Sequence, residues 1–65
     1  MKRIVDIYRK HQPDRVLWTY IVNLGWDGSH PSIEDFKQEG LTLAAIDGKG
    51  ALEELDAVVH LEILK

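Results

Sequence analysis

Gly48 and Gly50, one residue apart in the stretch Leu43–Leu55 (LAAIDGKGALEEL), are the residues whose type and spacing come closest to a chemical task. Glycine permits positive φ and lets a backbone approach a partner closely, and a helix start presents N–H groups without intrahelical acceptors. Together these suit an anion such as a phosphate. On this reading the N–H groups of Gly48, Lys49, Gly50 and Ala51 grip one phosphate, with the Lys49 ammonium alongside. Arg15 and the basic residues Lys2, Arg3, Arg9 and Lys10 extend the contact if they fold to the same side. Such a site reads backbone and is mostly blind to sequence. Glu53 and Glu54, in the first turn of the helix expected next, compete with an incoming phosphate for that helix end.

Other chemistries have less to stand on. The chain has no cysteine nucleophile, and Ser29 and Ser32 stand in no recognisable nucleophile motif. Glu53, Glu54, Asp56 and Glu62 are spread along what reads as a solvated helical face. His11, His30 and His60 lie in separate elements without metal-ligand spacing, so neither a metal nor another cofactor is expected. The glycine pair is not a nucleotide-binding loop either. A Walker motif needs Gly-Lys-Ser/Thr after a strand, and a dinucleotide fingerprint needs a third glycine. The expectation is a binding protein, not an enzyme.

Sixty-five residues make one domain, 1–65, with room for one small core. With 45% hydrophobic and 29% charged residues the chain has the composition of an ordinary globular domain. Without cysteine, packing must hold it together, and nothing points to secretion. No apolar run is long enough to span a bilayer, and the basic start leads into charged residues and not into a signal-peptide core. No membrane association and a cytoplasmic setting are therefore expected. The charge is bipolar. Residues 1–15 carry five basic against two acidic residues, whereas residues 16–65 carry three against nine. A basic arm supplies sequence-independent attraction to phosphate or to an acidic protein surface.

The elements that would position the turn read as helices. In Met1–His11, Ile4, Ile7, Tyr8 and His11 fall on one face, which predicts a short amphipathic helix interrupted at Gln12–Pro13. Pro13 and Asp14 suit the first turn of a second helix, along which Val16, Leu17, Tyr20, Ile21 and Leu24 form a stripe ending at Gly25. Its run VLWTYIV (16–22) is β-branched and aromatic, so a strand is the alternative there. Trp26–Pro31 reads as a loop, with Trp26 folding back over the edge of the core. Ser32 and Asp35 form a capping-box-like start for a two-turn helix that Gly40 ends. Thr42 caps a very short helix, Leu43–Ile46, before the turn. The last helix, from Ala51 to about Leu64, carries Leu52, Leu55, Val58, Val59 and Ile63 on its main stripe, and 58–64 alternates enough to be a strand instead. Leu61 and Leu64 lie off that stripe and need a cover, which could be the first helix or another copy of the chain.

Ser32–Leu55, read as S-I-E-D-F, a spacer and L-x-x-I-D-G-K-G-A-L-E-E-L, resembles the C-terminal domain of the RNA polymerase alpha subunit and, more loosely, other helix-hairpin-helix domains. The resemblance covers about a third of the chain. It implies that Gly48 and Lys49 match a turn that meets the DNA backbone and that Arg15 matches a DNA-contacting arginine. Gly50 and Ala51 stand where that family has a basic or polar residue followed by serine. The sterile-alpha-motif domain is a second, looser likeness, and it needs a further long helix. The resulting expectation is an all-α domain of four to five short helices with a helix-hairpin-helix-like turn at 47–50. It would be a non-enzymatic, nucleic-acid-associated protein, tied to transcription by that resemblance, binding DNA weakly and with salt sensitivity. The alternative is a protein–protein interaction module, adaptor or homo-oligomer, with a purely structural hairpin and self-association through Leu61 and Leu64.

Overall fold

A computed structural model describes residues 1–64. It overturns the all-α expectation. Three strands, β1 (Lys2–Arg9), β2 (Val16–Asn23) and β3 (Leu55–Leu64), form one antiparallel sheet in the order β2-β1-β3. One helix, α1 (Ile33–Ile46), lies against it, and a single 3₁₀ turn, Leu52–Glu54, leads into β3. The strand alternatives at 16–22 and 58–64 are the ones realised. Among the described residues, no helix is long and apolar enough to cross a membrane.

β1 looks helical in sequence because it is the central strand. Val5 and Ile7 are fully buried against the helix, while Ile4, Asp6 and Tyr8 on the opposite face are half-buried. Apolar residues of both parities then imitate the i, i+3, i+4 spacing that a solvated edge strand, with its strict alternation, would not show. Pro13 does not open a helix. The Gln12 N–H donates to the Arg9 carbonyl and the Arg15 N–H to the Gln12 carbonyl, which makes two successive turns with Pro13 in second place in the latter. Proline's fixed φ suits that place as well as it suits a helix start.

The helix begins as its sequence indicates. Ser32 Oγ accepts from the Asp35 N–H, and the Asp35 carboxylate accepts from the Ser32 N–H, so the capping box is complete. It does not stop at Gly40 but runs on through Thr42, so the short helix expected at Leu43–Ile46 is its last turn. Gly40 is there for contact. A Cβ at this position would lie 2.6 Å from Val5 Cγ1, so only a hydrogen fits between α1 and β1. The core assembled across this contact is Val5, Ile7, Val22, Phe36, Leu41, Ala44, Leu55 and Ala57. The Trp26 expectation is also corrected. The indole is 81% exposed in the Leu24–Ser32 connection, away from the core.

At its other end α1 is tied to β2. The Tyr20 hydroxyl donates to the Asp47 carboxylate at 2.5 Å, and Lys49 Nζ stands 4.0 Å from the centre of the Trp18 ring. Burial of the Tyr20 phenol, followed by its bond to Asp47 and that residue's negative charge, pushes its pKa up to about 12.

Two outcomes follow from this packing. Gly40→Ala is expected to destabilise the fold despite a helix-propensity gain of up to about 1 kcal/mol, because overpacking a tight contact costs about 1–3 kcal/mol. On a Val5→Ala background the same change becomes neutral or favourable, and a double-mutant cycle in denaturant reads the coupling. In an ultraviolet alkaline titration Tyr20 ionises near pH 12, and Asp47→Asn brings that ionisation down. Because the folded pKa is the raised one, Tyr20 stabilises the fold fully below the ordinary tyrosine range, and this contribution is lost as the pH rises toward 12.

Candidate interaction surface

Two amides of the expected phosphate grip, those of Gly48 and Lys49, are taken up by the helix they follow. Gly48, at φ 73°, is the residue just past the helix end. Its N–H donates to the Ala45 carbonyl at 3.1 Å and the Lys49 N–H to the Ala44 carbonyl at 2.9 Å, the paired bonds of a Schellman cap. The turn therefore sits at the carbonyl-rich, partially negative end of a helix, the reverse of an anion site. After it, a Cβ at Gly50 would lie 3.2 Å from Leu55 Cδ2, and Ala51 caps only the three-residue 3₁₀ turn.

The basic residues do not share one side. Arg9, Lys10 and Arg15 cluster at the β1–β2 turn, whereas Lys2 stands at the opposite end of β1, roughly 20 Å away at the rise of a strand. Arg3 is engaged inside the fold. One of its terminal nitrogens donates to the carbonyls of His60 and Leu61, and its guanidinium lies 5.5 Å from the centre of the buried Phe36 ring. Those carbonyls belong to an irregularity in β3, where the pairing passes from Arg3↔Ile63 to Val5↔Val59 and three residues of β3 face Ile4 alone. Lys10 donates its N–H to the Glu54 carbonyl and lines a groove with Glu34, Lys37, Leu52 and Asp56. In that groove Lys37 Nζ and Asp56 Oδ1 are 3.0 Å apart.

What the structure brings together instead is the sheet face away from α1. Register places Lys2, Ile4, Asp6 and Tyr8 of β1 on this face, opposite Asn23, Ile21, Thr19 and Val16 of β2. On β3, Leu64 and Val58 stand beside Lys2 and Asp6, while Asp56, paired with Tyr8 at the start of the strand, reaches Lys37 of α1. Val16, Ile21 and Val58 are each more than half exposed, and Leu61, in the irregular stretch opposite Ile4, is 78% exposed. Leu64, the other residue expected to seek a cover, is half-buried.

Through the middle of this apolar area runs a polar row, one residue from each strand. Thr19 Oγ1 donates to Asp6 Oδ1 at 2.7 Å, and His60 Nε2 lies 2.6 Å from Asp6 Oδ2. Partial burial pushes the Asp6 pKa up, but the bonds from His60 and Thr19 and the imidazole charge outweigh it and hold it below the ordinary aspartate range. An ionised carboxylate only accepts, so Nε2 carries the proton and His60 Nδ1 is left facing away from the row. Sequence could not assemble this row, because Asp6, Thr19 and His60 are far apart in the chain and meet only through strand register. The one signal available was the period-2 alternative in 16–22 and 58–64. The Thr19 hydroxyl bonds to Asp6 and not to the His60 ring, and neither of the two clefts described, the 24–35 connection and the groove beside Lys10, opens onto the row.

Asp6→Ala removes the shared acceptor of two hydrogen bonds and is expected to cost about 1–2 kcal/mol at neutral pH. Since the folded pKa is the lowered one, the Asp6 contribution is complete above the ordinary aspartate range and is lost as the pH falls through the folded value below it. Denaturant melts across acid pH should therefore show the gap between wild type and Asp6→Asn closing as the pH falls. Comparison with protein-family models, with curated proteins and with solved structures finds no match to this chain.

Proposed function

We propose that the chain is a non-enzymatic protein-interaction module whose hairpin is structural and whose open sheet face meets another protein. The observation that carries this reading is the apolar exposure of that face at Val16, Ile21 and Val58, with Leu61 beside it. A solvated antiparallel face is usually polar, and contiguous exposed apolar area marks interaction sites. The polar row supports the same reading. Both Asp6 oxygens are already bonded within the face, so covering them leaves no unsatisfied carboxylate. The partner this face fits is an apolar protein surface with one hydrogen-bonding group at its centre to meet His60 Nδ1.

A nucleic-acid role draws less support. The Gly48 and Lys49 amides are bonded to the helix end, Arg3 is engaged, and Lys2 stands at the opposite end of β1 from Arg9, Lys10 and Arg15. Those three would be its main cationic cluster.

The two readings separate in one set of titrations. Ile21→Gln with Val58→Gln alters the face without adding charge, and Glu39→Gln on α1 is the control. A protein that co-purifies with the chain from its own cells is isolated and titrated against each form. The expected result is a Kd at least about tenfold higher for the face variant, a loss of about 1.4 kcal/mol, and no change for the control. Duplex DNA binding that falls steeply with salt, survives the face changes and is lost with Arg15→Glu would overturn the proposal in favour of phosphate contact.

A further inference from the structure

The two edges of the sheet are not alike. β3 carries Asp56 and Glu62 and breaks its pairing opposite Ile4. Charges and irregular pairing are devices that keep an edge from pairing with another strand. β2 has only one of them, a bulge where the register passes from Ile7↔Trp18 to Tyr8↔Val16. Beyond that bulge, Trp18–Asn23 runs regularly, and the whole strand VLWTYIVN holds no charge and no proline. Among the described residues, none of its backbone groups bonds outside the ladder with β1. Trp18 and Ile21, half and 64% exposed, flank the unpaired backbone on the two faces of the sheet.

We propose that β2 pairs antiparallel with β2 of a second copy of this chain about a two-fold axis. Two three-stranded sheets then join into one of six, in the order β3-β1-β2-β2-β1-β3. A second copy is the occupant the edge fits for two reasons. Antiparallel pairing of one strand with itself is isologous, and in a strand without charge it sets no like charges opposite one another. Pairing of β2 with β3 of a neighbour would instead be head-to-tail and open-ended, and the guarded β3 edge opposes it. Assembly therefore closes at two chains. The inference concerns a different surface from the open face. It sets two such faces side by side on one side of the joined sheet.

Sedimentation equilibrium from about 1 to about 200 µM, with amide hydrogen exchange at both ends of the range, tests it without any partner protein. The expected mass rises from one chain to two and no further. The β2 amides that point away from β1 exchange more slowly at high concentration, while those of β3 do not change. Trp18→Glu, whose carboxylate has Lys49 beside it, should raise the dimer Kd at least tenfold with an unchanged circular dichroism spectrum. If that variant fails to fold, the concentration dependence of exchange in the wild type decides alone. A mass of one chain throughout, growth beyond two, or protection confined to β3 would overturn the proposal, and none of these results bears on partner binding by the open face.

Discussion

Everything in this fold hangs on how closely one helix can lie on one strand. α1 crosses β1 where Gly40 faces Val5, with room there for a hydrogen and nothing larger. That approach brings Phe36 on one side of the crossing and Ala44 on the other into the sheet, where both are fully buried. It also sets the distance at which the helix end can reach β2 through Tyr20 and Lys49. A core this small has little else to depend on, since a chain of 65 residues buries a smaller share of its surface than a larger domain does. Close packing at one point stands in for volume.

Local signals in the sequence were read well where local chemistry decides the structure. Ser32 and Asp35 announce a helix start because both partners of the capping box lie within four residues. Asp47–Gly48 announces a stop because a residue in the left-handed region must follow the last turn, and Gly48 supplies it. Gly40 misleads because the same absence of a side chain serves either to end a helix or to let one touch its neighbour. β1 misleads for a tertiary reason. As the middle strand it is apolar toward both sides, and that two-sidedness comes from β2 and β3, which its own residues do not reveal. The glycine turn misleads on direction. LAAIDGKGALEEL has its glycines between two apolar runs, and only the fold shows that they close the first run instead of opening a second helix.

The surface proposed for interaction is the least legible part. Its polar row draws on positions 6, 19 and 60, and its apolar residues on three strands, so no window of sequence contains it. Leu61 and Leu64 stand out in sequence only as the second apolar edge of a helix, whereas both belong to strand β3. The row also divides the roles within the face. The apolar side chains offer area, and Asp6 holds Thr19 and His60 in place so that a single imidazole nitrogen remains to be matched.

The strand order carries a consequence for how the chain comes to be folded. β1 occupies residues 2–9 and lies between β2, which follows after a short turn, and β3, at residues 55–64. During synthesis β1, the earliest of these three strands, can find one neighbour early, through the hairpin with β2. It must wait for some fifty further residues before the other side of its ladder is filled. Until then Arg3 has neither of the carbonyls it finally holds, and α1 has no complete sheet to settle on. Closing so long a loop late is slow relative to helix and hairpin formation. The nascent chain passes through a stage in which its most apolar strand pair stands half-covered, a window of exposure that the finished fold no longer shows.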